Sequence, residues 1–244
     1  MPYDGPQFYD DDAVFRAYST RRTRKTSPNA LIEQPIIQSM IGSPDGLDVL
    51  DLGCGDGLFG KTLLDAGAAS YCGVDGSKNM VSAAKSNLDG TSAQVIESGI
   101  NHYDFPAQMV DLVTARLVFH YLPDLAGTLG GISQTLRGGG RLVFSVEHPV
   151  ITSSNQSLAG GGARQDWIVD DYFVSGARTV SWLGAEVTKF HRTIQDYFLA
   201  VANAGFAFES FQESNPNPQM VRDSDEFRRR QRIPLFLMMS VRKP

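Results

Sequence analysis

The sequence predicts an α/β fold with a parallel sheet covered on both faces, and three observations carry that reading. From residue 47 onward, short apolar runs alternate with stretches whose apolar residues recur at helical spacing. Such alternation is the pattern of parallel strands joined by crossover helices. The first apolar run is followed by glycines at alternate positions, 53, 55 and 57. Hydrophobic residues make up 42% and charged residues 20% of the 244 residues, enough apolar material to bury a core. One domain is expected, with additions, since a domain usually has about 100–200 residues.

Residues 1–28 are polar, carry aromatics at Phe8, Tyr9, Phe15 and Tyr18, and follow no strand pattern. Asn29 suits an N-cap for a helix over 30–41, with Ile32, Ile36, Ile37, Met40 and Ile41 on its buried face and Pro35 as a possible kink. Strands follow at 47–52, 70–74, 94–97, 110–114 and 141–146. The helices between them start at the glycine turn, at Ser77 and near 124, the last carrying Leu125, Leu129, Ile132 and Leu136. Gly138 to Gly140 read as the end of that helix. Residues 149–186 break the rhythm and contain both tryptophans, which suggests a lid inserted after the fifth strand. Thr193, with Asp196 three residues on, starts another helix, and 206–212 and 235–241 are the final strands.

Composition excludes several classes. Twenty-two Lys and Arg against 27 Asp and Glu give a net charge of −5, which argues against a general nucleic-acid binder. No apolar run in the chain approaches the roughly 18 residues a membrane span needs. The start of the chain has no cationic-then-apolar leader pattern, and two cysteines make no disulfide framework. A cytoplasmic protein is therefore expected, with no membrane partner and with nucleic acid disfavoured. Its oligomeric state is open.

The most informative stretch is Val49-Leu-Asp-Leu-Gly-Cys-Gly-Asp-Gly57. A buried strand ends in Asp51, and the glycines let the backbone turn tightly and approach a ligand. The next strand ends in Gly73-Val-Asp75, where a carboxylate can accept both hydroxyls of a ribose. Gly55-Asp-Gly-Leu-Phe-Gly60 also matches a nicotinamide fingerprint, with Asp75 at the expected interval of about 20 residues. Asp51 and Asp56 at the mouth of the loop would repel a pyrophosphate, whereas a positively charged, amino-acid-bearing nucleoside tolerates them.

With those motifs the sequence resembles the class I S-adenosylmethionine-dependent methyltransferases. The resemblance rests on residues 51–57 and 73–77, on Val110-Asp-Leu-Val113, on His120-Tyr-Leu-Pro-Asp124 and on the run from Leu136 to Phe144, in that order. It implies a Rossmann-like seven-stranded sheet whose last strand is antiparallel. It implies S-adenosylmethionine as cofactor and S-adenosylhomocysteine as product. Carried over residue by residue, Gly53, Gly55 and Gly57 would lie against the methionine part and Asp51 would face its ammonium. Asp75 would hold the ribose, Gly76 and Ser77 would flank the adenine, and Ser98, Gly99 and Ile100 would stand near the adenine amino group. Arg116 and Leu117 would approach the methionine end. Gly57 has a second reading as a helix-start residue, and Cys54 and Cys72 read as small buried hydrophobes.

Nothing after the fourth strand marks an adenine-amine or a cysteine-nucleophile enzyme; that place reads Thr114-Ala-Arg-Leu117. The four histidines are far apart in sequence and form no metal-binding pair, so no metal is expected. An oxygen or nitrogen acceptor would need to lose a proton, and His148, His191 and His120 are the candidates to take it. Glu147 could orient His148 or pair with an arginine. Tyr9, Tyr18, Trp167, Tyr172 and Trp182 are the candidate aromatic wall around an acceptor, and Asp166, Asp170 and Asp171 the candidate amine readers. The basic runs 21–25 and 228–232 read as solvated faces. These features point to methyl transfer onto a small organic molecule, with an RNA or protein acceptor, a non-catalytic binder and a dehydrogenase as alternatives.

Overall fold

The computed structural model describes residues 2–22, 24, 26–156 and 166–244. The glycine run 160–162 and part of the basic run 21–25 lie outside them. Nine strands and nine α-helices are named, in chain order: α1 (Gly5–Asp10), α2 (Asp12–Arg22), α3 (Gln34–Ile41), β1 (Asp48–Leu52), α4 (Leu58–Asp65), β2 (Ser70–Asp75), α5 (Lys78–Asn87), β3 (Gln94–Glu97), β4 (Val110–Arg116), α6 (Leu125–Thr135), β5 (Leu136–Glu147), α7 (Pro149–Thr152), β6 (Gly176–Trp182), β7 (Ala185–His191), α8 (Ile194–Asn203), β8 (Ala207–Glu213), α9 (Ser224–Gln231) and β9 (Phe236–Arg242). Seven strands form one sheet in the order β3-β2-β1-β4-β5-β9-β8, and β9 runs antiparallel to both its neighbours.

Alternation along each central strand sorts side chains to two faces. Leu50, Leu52, Val113, Ala115, Leu142 and Phe144 pack toward α6 and α8 with Leu129, Ile132, Tyr197 and Val201. Val49, Leu112 and Val143 point the other way and pack with Ile37, Ile41, Phe59, Leu63 and Ala84 of α3, α4 and α5. The sheet is thus covered on both sides, as the continuous apolar character of these strands requires.

Four sequence expectations change. Residues 1–28, read only as polar and without a strand pattern, form two helices: Asp4 caps α1 by accepting from Gln7 N–H, and Asp11 accepts from Ala13 and Val14 at the start of α2. The helix expected over 30–41 opens as a π-helical turn, Asn29–Glu33, before α3. Pro35 lacks the N–H for a regular turn and sits in the first turn of α3, so it starts that helix instead of kinking it. Asn29 is no cap; the Ala30 N–H is met by Ser27 Oγ. The glycines 138–140 lie inside β5 beside a register shift, not in a loop after α6.

The fourth change concerns the lid. Its second half is a hairpin, β6–β7, forming a separate two-stranded sheet. Leu183 and Gly184 close it with φ of 49° and 86°. Such a turn normally advertises itself as Asn-Gly or Asp-Gly, and leucine at its first position hides it. The hairpin and the first helices share a small core of their own: Phe8, Val14 and Val187, with Trp182 stacked on Phe8 at 5.5 Å. Tyr3 bridges to Val187, so the start of the chain adds a strand-like contact to β7.

Candidate active site

The carboxyl ends of the parallel strands, α1, α2 and the hairpin together enclose a cavity of about 660 Å³. The strand order reverses between β1 and β4, where open α/β sheets form their ligand crevice. Gly53 and Cys54 turn the chain there, both amides donating to Val74 O at 2.8 and 3.1 Å. At Gly53, φ is +70° and a Cβ would lie 2.7 Å from Val118. At Gly55, φ is +56°, nothing stands within 4 Å of a Cβ, and the residue lines the cavity. Gly57 does not line it. It caps α4, and a Cβ would lie 2.9 Å from Leu88 of the loop after α5. The helix-start reading is the one its surroundings support.

Two carboxylates stand beside the loop. Asp51 is buried, with Oδ1 accepting from Thr114 Oγ1 at 2.7 Å and Oδ2 from Tyr71 OH at 2.8 Å; burial raises its pKa against those two bonds. Asp75 accepts from Gly55 N–H and Ser77 N–H, both at 2.9 Å. Burial pushes its pKa up to about 6, the two amides resisting. Each carboxylate oxygen of Asp75 keeps acceptor capacity for one further donor.

Gly76, Gly99 and Ile100 line the cavity, and a Cβ at Gly76 would lie 2.7 Å from Pro6 of α1. Ser77 and Ser98 do not. Ser77 Oγ donates to Asp10 Oδ1 at 2.7 Å and accepts from Met80 N–H, which ties α1 to the start of α5. Ser98 N–H donates to Asp75 O, turning its side chain back onto Gly99 O.

Arg116 and Leu117 line the cavity beyond β4. Arg116 makes a two-pronged pair with Glu33 and lies over the Phe59 ring, 4.1 Å from its centroid. Glu33 is completely buried and also accepts from Ser145 Oγ at 2.7 Å. The Nη1 of Arg116 is buried without a hydrogen-bond partner among the described residues. Leu117 has φ +55° and donates its N–H to Ser145. Glu33 escaped the sequence reading because it sits in an apolar helical stripe with no motif around it.

The cap side of the cavity is aromatic. Tyr9, Tyr18 and Trp182 meet edge to face with centroids 5.0–6.2 Å apart, and Tyr9 OH is 3.3 Å from Tyr121 OH. Lys189 reaches between Tyr121 and Trp182, 5.4 and 5.1 Å from their centroids, and its Nζ is 2.6 Å from Glu147 Oε1. Burial disfavours the lysine charge, but Glu147 and Tyr121 outweigh it and hold the pKa above the usual value. Tyr121 and Lys189 were not foreseen as wall residues: Tyr121 stands in the 120–124 motif, which assigns it no role, and Lys189 stands in no motif. Glu147 pairs with Lys189.

The expected histidines divide. His120 lines the cavity; its Nδ1 accepts from Glu147 N–H at 3.4 Å, and burial pushes its pKa down to about 3. His148 and His191 do not line it, and both ring nitrogens of each are engaged. His148 caps α7 through Val150 N–H and meets Glu213 at 2.9 Å. His191 donates Nε2–H to Tyr172 O at 2.9 Å and its Nδ1 meets Thr152 Oγ1 at 2.8 Å. Both hold α7 and its neighbours in place and stand outside the cavity, apart from where a base would act. Tyr172 stands outside the cavity as well: its hydroxyl accepts from Ile194 N–H and its ring packs on His191. Trp167 lines the outer rim, under Arg229 and Arg232, apart from the aromatic wall. Asp166 faces Arg232 at 3.9 Å, and Asp170 and Asp171 stand away from the cavity.

Among the described residues, no group of three His, Cys, Asp or Glu side chains converges as metal ligands, and no helix is long and apolar enough to cross a membrane.

Comparison with known proteins fits this geometry. Residues 50–144 match the family profile described as a methyltransferase domain. A crystal structure of an S-adenosylmethionine-dependent methyltransferase from Mesorhizobium loti superposes with a TM-score of 0.79 at 29% identity, covering 89% of this chain and 98% of that one. An uncharacterised Haemophilus influenzae protein is 28% identical over 96% of both chains. A malonyl-[acyl-carrier protein] O-methyltransferase from Acetivibrio thermocellus is 26% identical over 69% of this chain, an alignment that spans 61% of that protein.

Proposed function

The chain is a class I S-adenosylmethionine-dependent methyltransferase, and on that premise we propose that it methylates a small organic acceptor held under the aromatic cap. The observation that carries the proposal is the continuity of one cavity from the glycine loop to Tyr9, Tyr18, Tyr121 and Trp182. A concave pocket of this size, with an aromatic wall and placed polar groups, is the usual form of a small-molecule site. The relative named as an O-methyltransferase of a carrier-bound malonyl group supports a low-molecular-weight reacting moiety.

The residues fit the cofactor that the family uses. Asp75 has the acceptor capacity for a ribose diol, Gly53 and Gly55 let backbone approach, and the unpartnered Nη1 of Arg116 is a donor that a carboxylate satisfies. The bound cofactor supplies a methyl group on a sulfonium, the electrophile of an in-line displacement. The protein then needs to align the acceptor and exclude water. The first two helices and the hairpin act as one cap in this reading, because they share a core and close the same mouth. Methyl transfer to an oxygen or nitrogen releases a proton, and Glu147 stands beside the cavity to accept it, with Lys189 holding its charge. His120 stays neutral. With Nδ1 accepting, its proton sits on Nε2, so the ring has no free lone pair with which to act as base. Cys54 and Cys72 are buried and unpaired, in keeping with a cytoplasmic setting.

A thermal-shift panel tests the premise of the site: S-adenosylhomocysteine at 100 times its dissociation constant adds about 2.7 kcal/mol, and NAD or NADP adds nothing. A metabolite extract supplied with tritiated-methyl S-adenosylmethionine then tests the acceptor class, with label expected in low-molecular-weight products. Label confined to RNA or protein would reject the small-molecule reading.

A further inference from the structure

The two basic runs, at opposite ends of the sequence, meet at the outer end of the cavity. Arg21, from the last turn of α2, and Arg229 and Arg230, from the last turn of α9, all line it. Arg229 and Arg230 both pair with Glu226, at 3.1 and 2.6 Å. No carboxylate lies within ion-pair distance of Arg21 among the described residues. Burial lowers the pKa of Arg230 against the pull of Glu226, with Arg229 and Arg21 adding to the lowering, so the guanidiniums are close enough to repel. The Trp167 ring lies beneath Arg229 and Arg232, at 6.0 and 5.0 Å, and holds those side chains at the rim.

This excess is local, because the chain carries −5 overall. The inner cations differ: Lys189 is matched by Glu147 and Arg116 by Glu33. At the outer end, three guanidiniums face the one carboxylate of Glu226 among the described residues, inside a partly enclosed space where counter-ions and solvent compensate less.

We propose that this outer end is an anion subsite, and that the acceptor is an anionic small molecule whose carboxylate or phosphate is held by Arg21, Arg229 and Arg230. The rest of the acceptor then lies along the aromatic wall, with its reacting atom at the inner end near Glu147. This rests on the methyltransferase reading above and narrows its acceptor to one charge class. Guanidinium forks match the planar, two-oxygen geometry of such anions.

Citrate and inorganic phosphate, titrated at fixed ionic strength into protein saturated with S-adenosylhomocysteine, serve as probes by calorimetry. Saturable one-site binding of either is expected, weakened at least about tenfold in the Arg21→Gln/Arg230→Gln double variant, as the loss of charge-assisted contacts predicts. Affinity for S-adenosylhomocysteine should stay within about twofold, since neither arginine belongs to the cofactor end. In the labelled-extract assay, product should be retained on an anion exchanger, and the double variant should raise its KM at least about tenfold with kcat nearly unchanged. Non-saturable anion binding, equal binding by the variant, or label confined to neutral and cationic products would each overturn the anion subsite. Failure to bind S-adenosylhomocysteine would instead remove the cofactor reading on which it rests.

Discussion

The two ends of the cavity are built in opposite ways. At the cofactor end, a few residues from adjacent strand ends do most of the work: Gly53 and Gly55 are set by backbone conformation, and Asp75 is held by two amides. At the acceptor end, the side chains come from residues 9, 18, 121, 147, 182 and 189, which only the folded cap and hairpin bring together. The first end depends on local geometry and the second on packing between distant segments. They should therefore fail differently when perturbed.

The largest separation between them should come from removing the cap. Deleting residues 2–20 takes away Tyr9, Tyr18 and the Pro6 and Asp10 contacts, yet leaves both sheet cores untouched. Methyl transfer should fall by at least about three orders of magnitude, since alignment and water exclusion are the protein's main contribution. Far-UV circular dichroism should still report the sheet. A truncated protein with near-normal turnover would break the comparison.

Glu33→Ala should cost about 3–5 kcal/mol of folding stability in denaturant titrations, because it strands a buried guanidinium. A loss below about 1 kcal/mol would mean that Arg116 finds solvent. Asp75→Asn should weaken S-adenosylhomocysteine binding by about 1.5–3 kcal/mol in calorimetry, from the loss of charge on two hydrogen bonds. It should leave the citrate and phosphate titrations unchanged, which sharpens the independence of the two ends.

A smaller effect follows from pH. The carboxyl of Asp75, with a pKa of about 6 in the free protein, must be ionised to accept two hydroxyls well. Affinity for S-adenosylhomocysteine should fall by up to about tenfold per pH unit below 6 and level off above it. The same shift acts on stability in the opposite sense. A folded pKa above the ordinary carboxylate value favours the folded state below about pH 4, and that advantage is lost as pH rises to about 6. A flat affinity profile between pH 5 and 7 would place the charge on another group. The smallest effect is expected for His191→Gln: about 1–2 kcal/mol of stability from the lost bonds to Thr152 and Tyr172, with the pH profile of kcat unmoved.

This contrast also explains what could be read from the sequence. Strand and helix periodicity located every strand of the seven-stranded sheet, because the central strands are buried on both faces and their neighbours are amphipathic. The glycine loop was legible because positive φ and close packing leave few alternatives to glycine at position 53. The acceptor end was only partly legible. Tyr9, Tyr18 and Trp182 were suggested by aromatic composition, but Tyr121 and Lys189 acquire their meaning only when the hairpin folds over β4 and β5. His148 and His191 misled because proximity to a strand end in sequence does not fix where a ring points. Both rings turn to protein groups that a linear reading cannot see.

The bridge between Tyr3 and β7 has a consequence for how the chain is made. During synthesis the first residues leave the ribosome long before residue 187 exists to receive them. Phe8 meets Trp182 and Val187 under the same delay, so the cap belongs to the late, high-contact-order part of folding. The nascent helices must wait with Phe8, Tyr9 and Val14 uncovered while β1 to β5 are laid down. A translation-arrested chain ending before the hairpin should therefore hold a partly assembled sheet and an N-terminus open to protease, and full release should close it. The last step of folding and the completion of the acceptor wall are, on this reading, the same event.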